Sequence, residues 1–196
     1  MTTTHLVQFC DRIIETTITY HSSIADDWVR SIRSKHNGQK IIVGLDCKFR
    51  SHPIRSMSNK IATLQLCVET NCLIVQLFYL DYIPISLGNL LVDPDITFLG
   101  IEVYYNVLKL QKEYGINCRN KVDIRSLAKI WFPISCHRNP AGLKALAYGV
   151  AGLSTRKRKN SSECDWECRD LGDELIEYAC VDAYALYRIG HELLKM

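Results

Sequence analysis

Apolar and polar residues alternate in short runs along the first part of the chain, and this alternation predicts β-strands. The runs at 5–10 and 16–20 are rich in β-branched residues and are separated by a polar step, which predicts a leading β-hairpin. The run Ile41 to Phe49 is almost entirely apolar. Because such a strand has two faces to bury, we expect it to lie at the centre of a sheet.

The rhythm changes beyond residue 80, where apolar residues recur every three or four positions and predict helices. A three-stranded meander before that point is completed by strands at 61–68 and 72–80, and a further short strand is predicted at 97–101. The predicted helices cover 25–36, 103–114, 124–132, 143–150 and 173–194. A meander followed by strands interleaved with helices indicates an α/β fold with a mixed sheet covered on both faces.

Composition sets modest bounds on this picture. The chain has 196 residues, of which 47% are hydrophobic and 23% charged, so we expect a single domain over 1–196. A net charge of +3 is too small to establish a polyanionic partner. We expect no membrane helix, since no apolar run approaches about 18 residues, and the first residues do not resemble a secretory signal. These features favour an intracellular protein.

The nine cysteines favour reduced thiols over a disulfide framework or a zinc site. Their number is odd, and several lie inside predicted strands or helices, where a thiol behaves as a small buried hydrophobe. A zinc site would have to use Cys164 and Cys168 with Cys136 and His137. We disfavour it, because the chain has no C-x-x-C pair and the spacings match no common site.

Two separated segments carry the candidate chemistry. Asp46 and Lys48 point to the same face of their strand, because side chains alternate along a strand. Tyr178 and Asp182 are four residues apart in the last predicted helix and so lie one above the other. A phenol that orients water beside a carboxylate that holds a cation would serve metal-assisted phosphodiester hydrolysis. In the plainer alternative, Tyr178 is an ordinary helix tyrosine and Asp182 is a buried acid paired with Lys48.

The order of these motifs resembles the DEDDy 3′–5′ exonucleases of the ribonuclease H-like superfamily. The resemblance is greatest to the plant Werner-syndrome-like exonucleases and RISC-interacting clearing exoribonucleases. It implies a DnaQ-like exonuclease fold, with a mixed five-stranded sheet flanked by helices, to which the N-terminal β-hairpin is an addition. The segments that carry it are Val43 to Arg50, Ile61 to Cys67, Phe98 to Ile101, Asn106 to Leu110, Asp165 to Glu167 and Glu177 to Tyr184.

The resemblance also implies a site in which four carboxylates, at positions 46, 48, 106 and 182, hold two metal ions. Asp46 and Asp182 keep their carboxylates, whereas Lys48 and Asn106 change the charge at the other two positions from −2 to +1. This change disfavours dications and lets the Lys48 ammonium neutralise both aspartates. An active protein would use Mg²⁺ or Mn²⁺, and a silent one no metal.

Two nearby acids and one basic run have competing interpretations. Glu102 and Asp123 could replace a lost carboxylate, but we favour ordinary surface or helix-capping roles. The basic run could grip phosphates, or could be a solvated loop or a nuclear-localisation patch. It consists of Arg156, Lys157, Arg158 and Lys159.

Two functional hypotheses follow from the resemblance, together with a less specific third. The first is a weak 3′–5′ exonuclease on single-stranded RNA or DNA, with Asp46, Tyr178 and Asp182 as catalytic residues and the two aspartates as metal ligands. The second, which we favour because of Lys48, is a silent subunit that binds nucleic acid or a protein partner. The third is a scaffold without nucleic-acid contact. The resemblance further implies a homo-oligomer, with a hexamer as one candidate, in the cytoplasm, the nucleus or both.

Overall fold

A mixed seven-stranded sheet forms the centre of the computed structural model, which describes residues 3–50, 59–131, 142–155 and 164–195. The strands are β1 (Thr3–Phe9), β2 (Arg12–Thr19), β3 (Ile41–Lys48), β4 (Thr63–Val68), β5 (Asn71–Gln76), β6 (Ile96–Gly100) and β7 (Lys121–Asp123). The helices are α1 (Ser22–Lys35), α2 (Ile85–Leu91), α3 (Val103–Tyr114), α4 (Ile124–Trp131), α5 (Leu143–Ala151) and α6 (Asp173–Lys195).

The strand order is β1-β2-β5-β4-β3-β6-β7, which confirms the predicted fold class. β3, β4 and β5 form the expected antiparallel meander, while β6 and β7 run parallel to β3. The five strands β5, β4, β3, β6 and β7 correspond to the expected five-stranded sheet. The N-terminal hairpin extends the same sheet, because β2 pairs in parallel with β5.

The central strand β3 is covered on both faces, as its apolar sequence predicts. On one face, α6 packs with α4 and α5 around a cluster that includes Leu99, Ile176 and Ala183. On the other, α1, α2 and α3 enclose a second cluster that includes Val43 and Leu45. The two clusters hold β3 between helices, so the polar residues near its C-terminal end are positioned by a rigid core.

Gly44 allows α6 to approach β3 closely. A Cβ atom at this position would lie 2.1 Å from the Ala183 carbonyl oxygen and 2.8 Å from the Tyr187 nitrogen. Both are backbone atoms, so a larger residue would force the helix away from the strand. Glycine at 44 therefore sets the distance between the two elements that carry Asp46 and Asp182.

The structure differs from the sequence predictions mainly in its short elements. Neither α2 nor β7 was predicted, because seven and three residues are too few to display a helical or strand period. β5 ends at Gln76 rather than continuing to residue 80. The end of the helix predicted over 124–132 falls at the border of the described residues.

The buried cysteines are thiols, as expected. Cys47, Cys67, Cys72 and Cys118 are buried, and burial raises the pKa of the Cys47, Cys67 and Cys118 thiols. Within the described ranges no group of three or more His, Cys, Asp or Glu side chains is arranged to hold a metal ion. The alternative zinc ligands Cys136 and His137 lie outside those ranges. None of the described helices could cross a membrane.

Candidate active site

The C-terminal end of β3 carries the first half of the site. Asp46 pairs with Gln65 of β4 and Lys48 with Thr63, so both backbone positions are fixed by the meander. Their side chains project from the same face of the strand. The Lys48 side chain is only 7% exposed and that of Asp46 17%, so the pair lies largely out of water.

Helix α6 carries the second half. Tyr178 and Asp182 lie one turn apart on the helix face that meets β3. The Lys48 ammonium nitrogen lies 2.7 Å from Oδ2 of Asp46 and donates a hydrogen bond to Oδ2 of Asp182. The ammonium therefore joins two carboxylates that are 136 positions apart in the sequence.

Two aromatic rings complete the enclosure of this ammonium. Its nitrogen lies 4.7 Å from the centroid of the Tyr178 ring and 5.7 Å from that of Trp166. The two rings meet edge to face, with centroids 5.8 Å apart, and Trp166 is almost completely buried. We call this arrangement of Asp46, Asp182, Trp166 and Tyr178 the Lys48 cage. Its carboxylates and ring faces all attract a cation.

The electrostatics of the cage keep Lys48 charged. Burial by itself would lower the pKa of Lys48, but the nearby carboxylates of Asp46 and Asp182 outweigh it. The net result is a pKa raised above the ordinary value of 10.5. With both carboxylates ionised, the trio carries one net negative charge, which is much less than the charge a pair of dications requires.

The donor set does not fit the two-metal site that the resemblance implies. A pair of catalytic dications about 3.5–4 Å apart needs carboxylates on both ions. Here the Lys48 ammonium lies within hydrogen-bonding distance of both remaining aspartates, and it presents a positive charge where a ligand should present a negative one. The described residues offer no group of three acidic or metal-binding side chains in its place.

The side chain of Asn106, at the other altered position, forms a hydrogen bond with a nearby backbone carbonyl group. The residue is 7% exposed and lies in the first turns of α3. Its side-chain amide donates to the Ile101 carbonyl oxygen at 3.4 Å, and its backbone nitrogen donates to the Glu102 carbonyl oxygen at 3.0 Å. These bonds fix Asn106 at the junction between β6 and α3. A role as a degenerate metal ligand stays a prediction.

Asp123 and Glu102 serve the same junction rather than the cage. Asp123 accepts hydrogen bonds from the backbone nitrogens of Glu102 and Arg125, and its carboxylate pairs with the Arg125 guanidinium at 2.9 Å. The Glu102 side chain is 64% exposed. The capping role therefore accounts for the contacts of Asp123, and the surface role for the exposed side chain of Glu102.

A second buried lysine helps to frame the site. Lys109 of α3 donates to the Asn59 carbonyl oxygen and to the Glu113 carboxylate. The Asn59 side chain in turn donates to Glu167 at 3.2 Å, next to Trp166 of the cage. This network connects α3 to the segment that contains Trp166. Contacts outside the Lys48 cage therefore also hold Trp166 in position.

The structure brings together four of the residues that the sequence singled out. Asp46, Lys48, Tyr178 and Asp182 converge, whereas the basic run at 156–159 lies outside the described residues. Sequence reasoning did not assign a role to Trp166. Its signal in the sequence is the segment Asp165 to Glu167, where a single tryptophan stands between two acids.

The arrangement of the sheet and the convergence of strand β3 with helix α6 define a ribonuclease H-like exonuclease fold. A sequence model of the 3′–5′ exonuclease family matches residues 7–196. The chain therefore belongs to the 3′–5′ exonuclease family.

Known relatives agree with this assignment. An Arabidopsis thaliana 3′-5′ exonuclease is 29% identical over 162 residues, which are 78% of this chain and 52% of the relative. The exonuclease 3′-5′ domain-containing protein 2 of Drosophila melanogaster is 24% identical over 169 residues, 86% of this chain and 28% of that protein. The chain thus spans about half, or less, of the length of these relatives.

Solved structures share the fold. Escherichia coli RNase D, an exoribonuclease involved in structured RNA processing, aligns with a TM-score of 0.70 and 18% identity over 91% of this chain and 44% of RNase D. The exonuclease domain of EXD2 aligns with a TM-score of 0.54 and 22% identity, covering 91% of this chain and 88% of that domain.

Proposed function

We propose that this protein binds the 3′ end of single-stranded RNA or DNA with its exonuclease fold and does not hydrolyse it. The observation that carries the proposal is the Lys48 ammonium between Asp46 and Asp182. In this proposal the Lys48 ammonium has replaced the metal ions, and the site around the Lys48 cage recognises the nucleic acid.

The nucleic-acid part of the proposal comes from the family. Its members are 3′–5′ exonucleases, and RNase D is described as processing structured RNA. The basic run at 156–159 supplies a means of phosphate contact whose strength would fall with salt concentration. An alternative form of the proposal, in which the pocket binds a protein partner, predicts no retention of nucleic acid at low salt.

The loss of catalysis follows from the chemistry of the cage. Crystals of the EXD2 exonuclease domain were soaked in Mn and Mg, which agrees with divalent metals in that relative. In this chain a metal at Asp46 and Asp182 would have to displace an ammonium that both carboxylates already bind. The cost is high because the Lys48 ammonium is largely buried and would lose both of its ion pairs.

A weak exonuclease is the second candidate, and one observation favours it. Asp46, Asp182 and Tyr178 all remain and converge in one place. If Lys48 could swing aside, the two aspartates would present oxygen ligands suited to one Mg²⁺ or Mn²⁺. Tyr178 would then be the residue available to orient a water molecule.

A trimming and binding experiment separates these candidates. A 5′-labelled single-stranded RNA, and separately a single-stranded DNA of the same sequence, is incubated with the purified protein and Mn²⁺, in parallel with Asp182→Ala and with Lys48→Glu combined with Asn106→Asp. We expect the parent to retain the RNA on a filter at low salt without shortening it. We expect the double variant to shorten it stepwise from the 3′ end.

Two outcomes would contradict the proposal. Stepwise shortening by the parent that Asp182→Ala abolishes would establish the weak exonuclease. Absence of RNA and DNA retention at low salt would remove the nucleic-acid function and leave the protein-partner form or a scaffold without nucleic-acid contact. The same purified protein therefore tests binding and hydrolysis separately.

The proposal extends to location and assembly. We place the protein in the cytoplasm or the nucleus and expect it to form a homo-oligomer, on the basis of its family resemblance. Fluorescence microscopy of a tagged chain tests the first expectation, and the mass of the purified protein in solution tests the second.

A further inference from the structure

The outer edge of β1 is an exposed sheet edge in the described part of the chain. β1 is the first strand in the sheet order, and no described strand pairs with its outer side. Its residues, Thr3–Phe9, include neither Pro nor Lys nor any acidic residue. Proteins usually protect such an edge with charge, proline, a bulge or shortness. At the opposite edge, β7 is only three residues long and begins with Lys121.

The hydrogen-bond pattern shows which backbone groups face this edge. The Glu15 nitrogen donates to the Thr70 carbonyl oxygen at 2.8 Å, so the backbone groups of Glu15 point away from β1. Leu6 lies opposite Glu15 and is therefore in a non-hydrogen-bonded pair of the β1–β2 ladder. Its N–H and C=O point outward. The alternation of the ladder gives Thr4 and Gln8 the same orientation.

These three residues are complementary to a second copy of themselves. With a two-fold axis at Leu6, an antiparallel second β1 places Leu6 opposite its own counterpart and Thr4 opposite Gln8 of the second copy. Each of these pairs is of the hydrogen-bonded type, so the outward donors and acceptors satisfy one another. The facing side chains carry no charge, so pairing meets no like-charge repulsion.

Burial of apolar side chains also favours pairing of the two β1 edges. Leu6 is 72% exposed, and Ile13 on the same face of the hairpin is 59% exposed. In the symmetric arrangement, the two copies of Leu6 would cover each other at the axis. Burial of apolar surface and pairing of strand edges then favour the same register.

We propose that two copies of this chain pair through the edge of β1, in antiparallel register centred on Leu6, to make one sheet that continues across both copies. A single strand pair buries little surface, so the dimer would be weak, with a dissociation constant of order 10–100 μM. This interface is independent of whether the Lys48 cage has lost catalysis.

The mass of the protein in solution tests the interface. We expect light scattering after size exclusion to show a monomer at about 1 μM and a dimer at about 200 μM, the range set by a weak interface. Leu6→Lys would place two ammonium groups opposite each other at the axis and raise the dissociation constant at least tenfold. Ile13→Lys is the matched control, since it adds the same charge to the same face one strand away from the edge, and should leave the dimer intact.

A cross-linking experiment tests the register. Leu6→Cys should form a disulfide between copies when the thiol-oxidising reagent diamide is added, because facing residues of a hydrogen-bonded pair lie about 5.5 Å apart at Cα. Cys10 is exposed and is replaced by Ser in this background. Gln8→Cys should not cross-link, since the two copies of residue 8 would lie about 13 Å apart along the strands.

The outcomes are decisive in either direction. A monomer at every concentration, or a dimer that Leu6→Lys leaves unchanged, overturns the interface. Cross-linking through residue 8 in place of residue 6 overturns the register. Melting curves from circular dichroism show that each variant remains folded, so loss of the dimer is not mistaken for loss of structure.

Discussion

The ammonium nitrogen of Lys48 lies 2.7 Å from the carboxylate of Asp46, two residues earlier on the same strand. Both side chains are largely buried, and the same ammonium also binds Asp182 on α6. A strand and a helix from opposite ends of the chain are therefore joined by one internal cation. In a two-metal exonuclease, the metal ions would make such a connection.

Replacing Lys48 should destabilise the fold. Lys48→Met removes the cation that Asp46 and Asp182 share and leaves two carboxylates close together away from water. We expect a loss of about 3–5 kcal/mol in the free energy of unfolding, measured by urea denaturation. Lys35→Met is the control, because Lys35 pairs with Glu69 on the surface and should cost less than about 1 kcal/mol. A loss of similar size in both variants would contradict a structural role for the cage.

Restoring the acidic residues should restore a response to metal. Lys48→Glu with Asn106→Asp places carboxylates at all four positions, so repulsion should lower the melting temperature without metal. Addition of Mn²⁺ at about 100 times its dissociation constant should then stabilise the variant by roughly 2.7 kcal/mol. The melting temperature of the parent should rise by less than about 1 °C, which is far less than a stabilisation of that size would produce. An equal Mn²⁺ shift in the parent would show that Lys48 does not exclude metal.

The close approach at Gly44 should make this position intolerant of any side chain. Gly44→Ala would place a methyl group 2.1 Å from the Ala183 carbonyl oxygen, and the rigid backbone on both sides cannot yield. We expect a loss of at least about 3 kcal/mol in the free energy of unfolding. Gly88→Ala in α2 meets nothing within 4 Å and should stabilise the protein by about 0.5–1 kcal/mol. Equal effects at the two positions would contradict the described packing of α6 on β3.

Asp123 should make stability depend on acid pH. Burial acts to raise the pKa of this carboxyl, but hydrogen bonds from Arg125 and from the Glu102 backbone outweigh it and lower the pKa below its ordinary value of 3.8. A carboxyl with a lowered pKa in the folded state contributes stability above its unfolded pKa, and this contribution is lost as the pH falls through the folded value.

The comparison with Asp123→Asn isolates this contribution. At pH 7 the variant should be less stable by about 1.5–3 kcal/mol, the range for a hydrogen bond to a charged group. The difference between parent and variant should shrink as the pH falls below 3.8, measured by urea denaturation at each pH. A difference that stays constant between pH 7 and pH 2.5 would rule out an ionised Asp123 as its source.

Local sequence patterns were sufficient to predict the long strands and helices and part of the candidate site. The alternation around β3 put Asp46 and Lys48 on one face, and the four-residue spacing in α6 put Tyr178 above Asp182. Both relationships follow from the geometry of a single strand or a single helix. The convergence of the two pairs was inferred from the resemblance to the exonucleases, since no local pattern joins residues so far apart.

Other features had no local signal. β7 forms because Lys121–Asp123 lie beside β6, and three residues carry no period of their own. Trp166 belongs to a segment without regular structure, and it faces Lys48 only because contacts with Asn59, Gln76 and Tyr79 hold that segment in place. Such contacts depend on the packing of the whole chain.

The sequence by itself determined the α/β fold, the family and the exchange of two acidic positions for Lys48 and Asn106, because these are written in residue identity and short-range periodicity. Only the tertiary structure decided where the Lys48 ammonium goes. Its position between Asp46 and Asp182, under the rings of Trp166 and Tyr178, depends on how closely α6 packs on β3. A flexible lysine side chain has many possible partners, and the packing of the core fixes which of them it contacts.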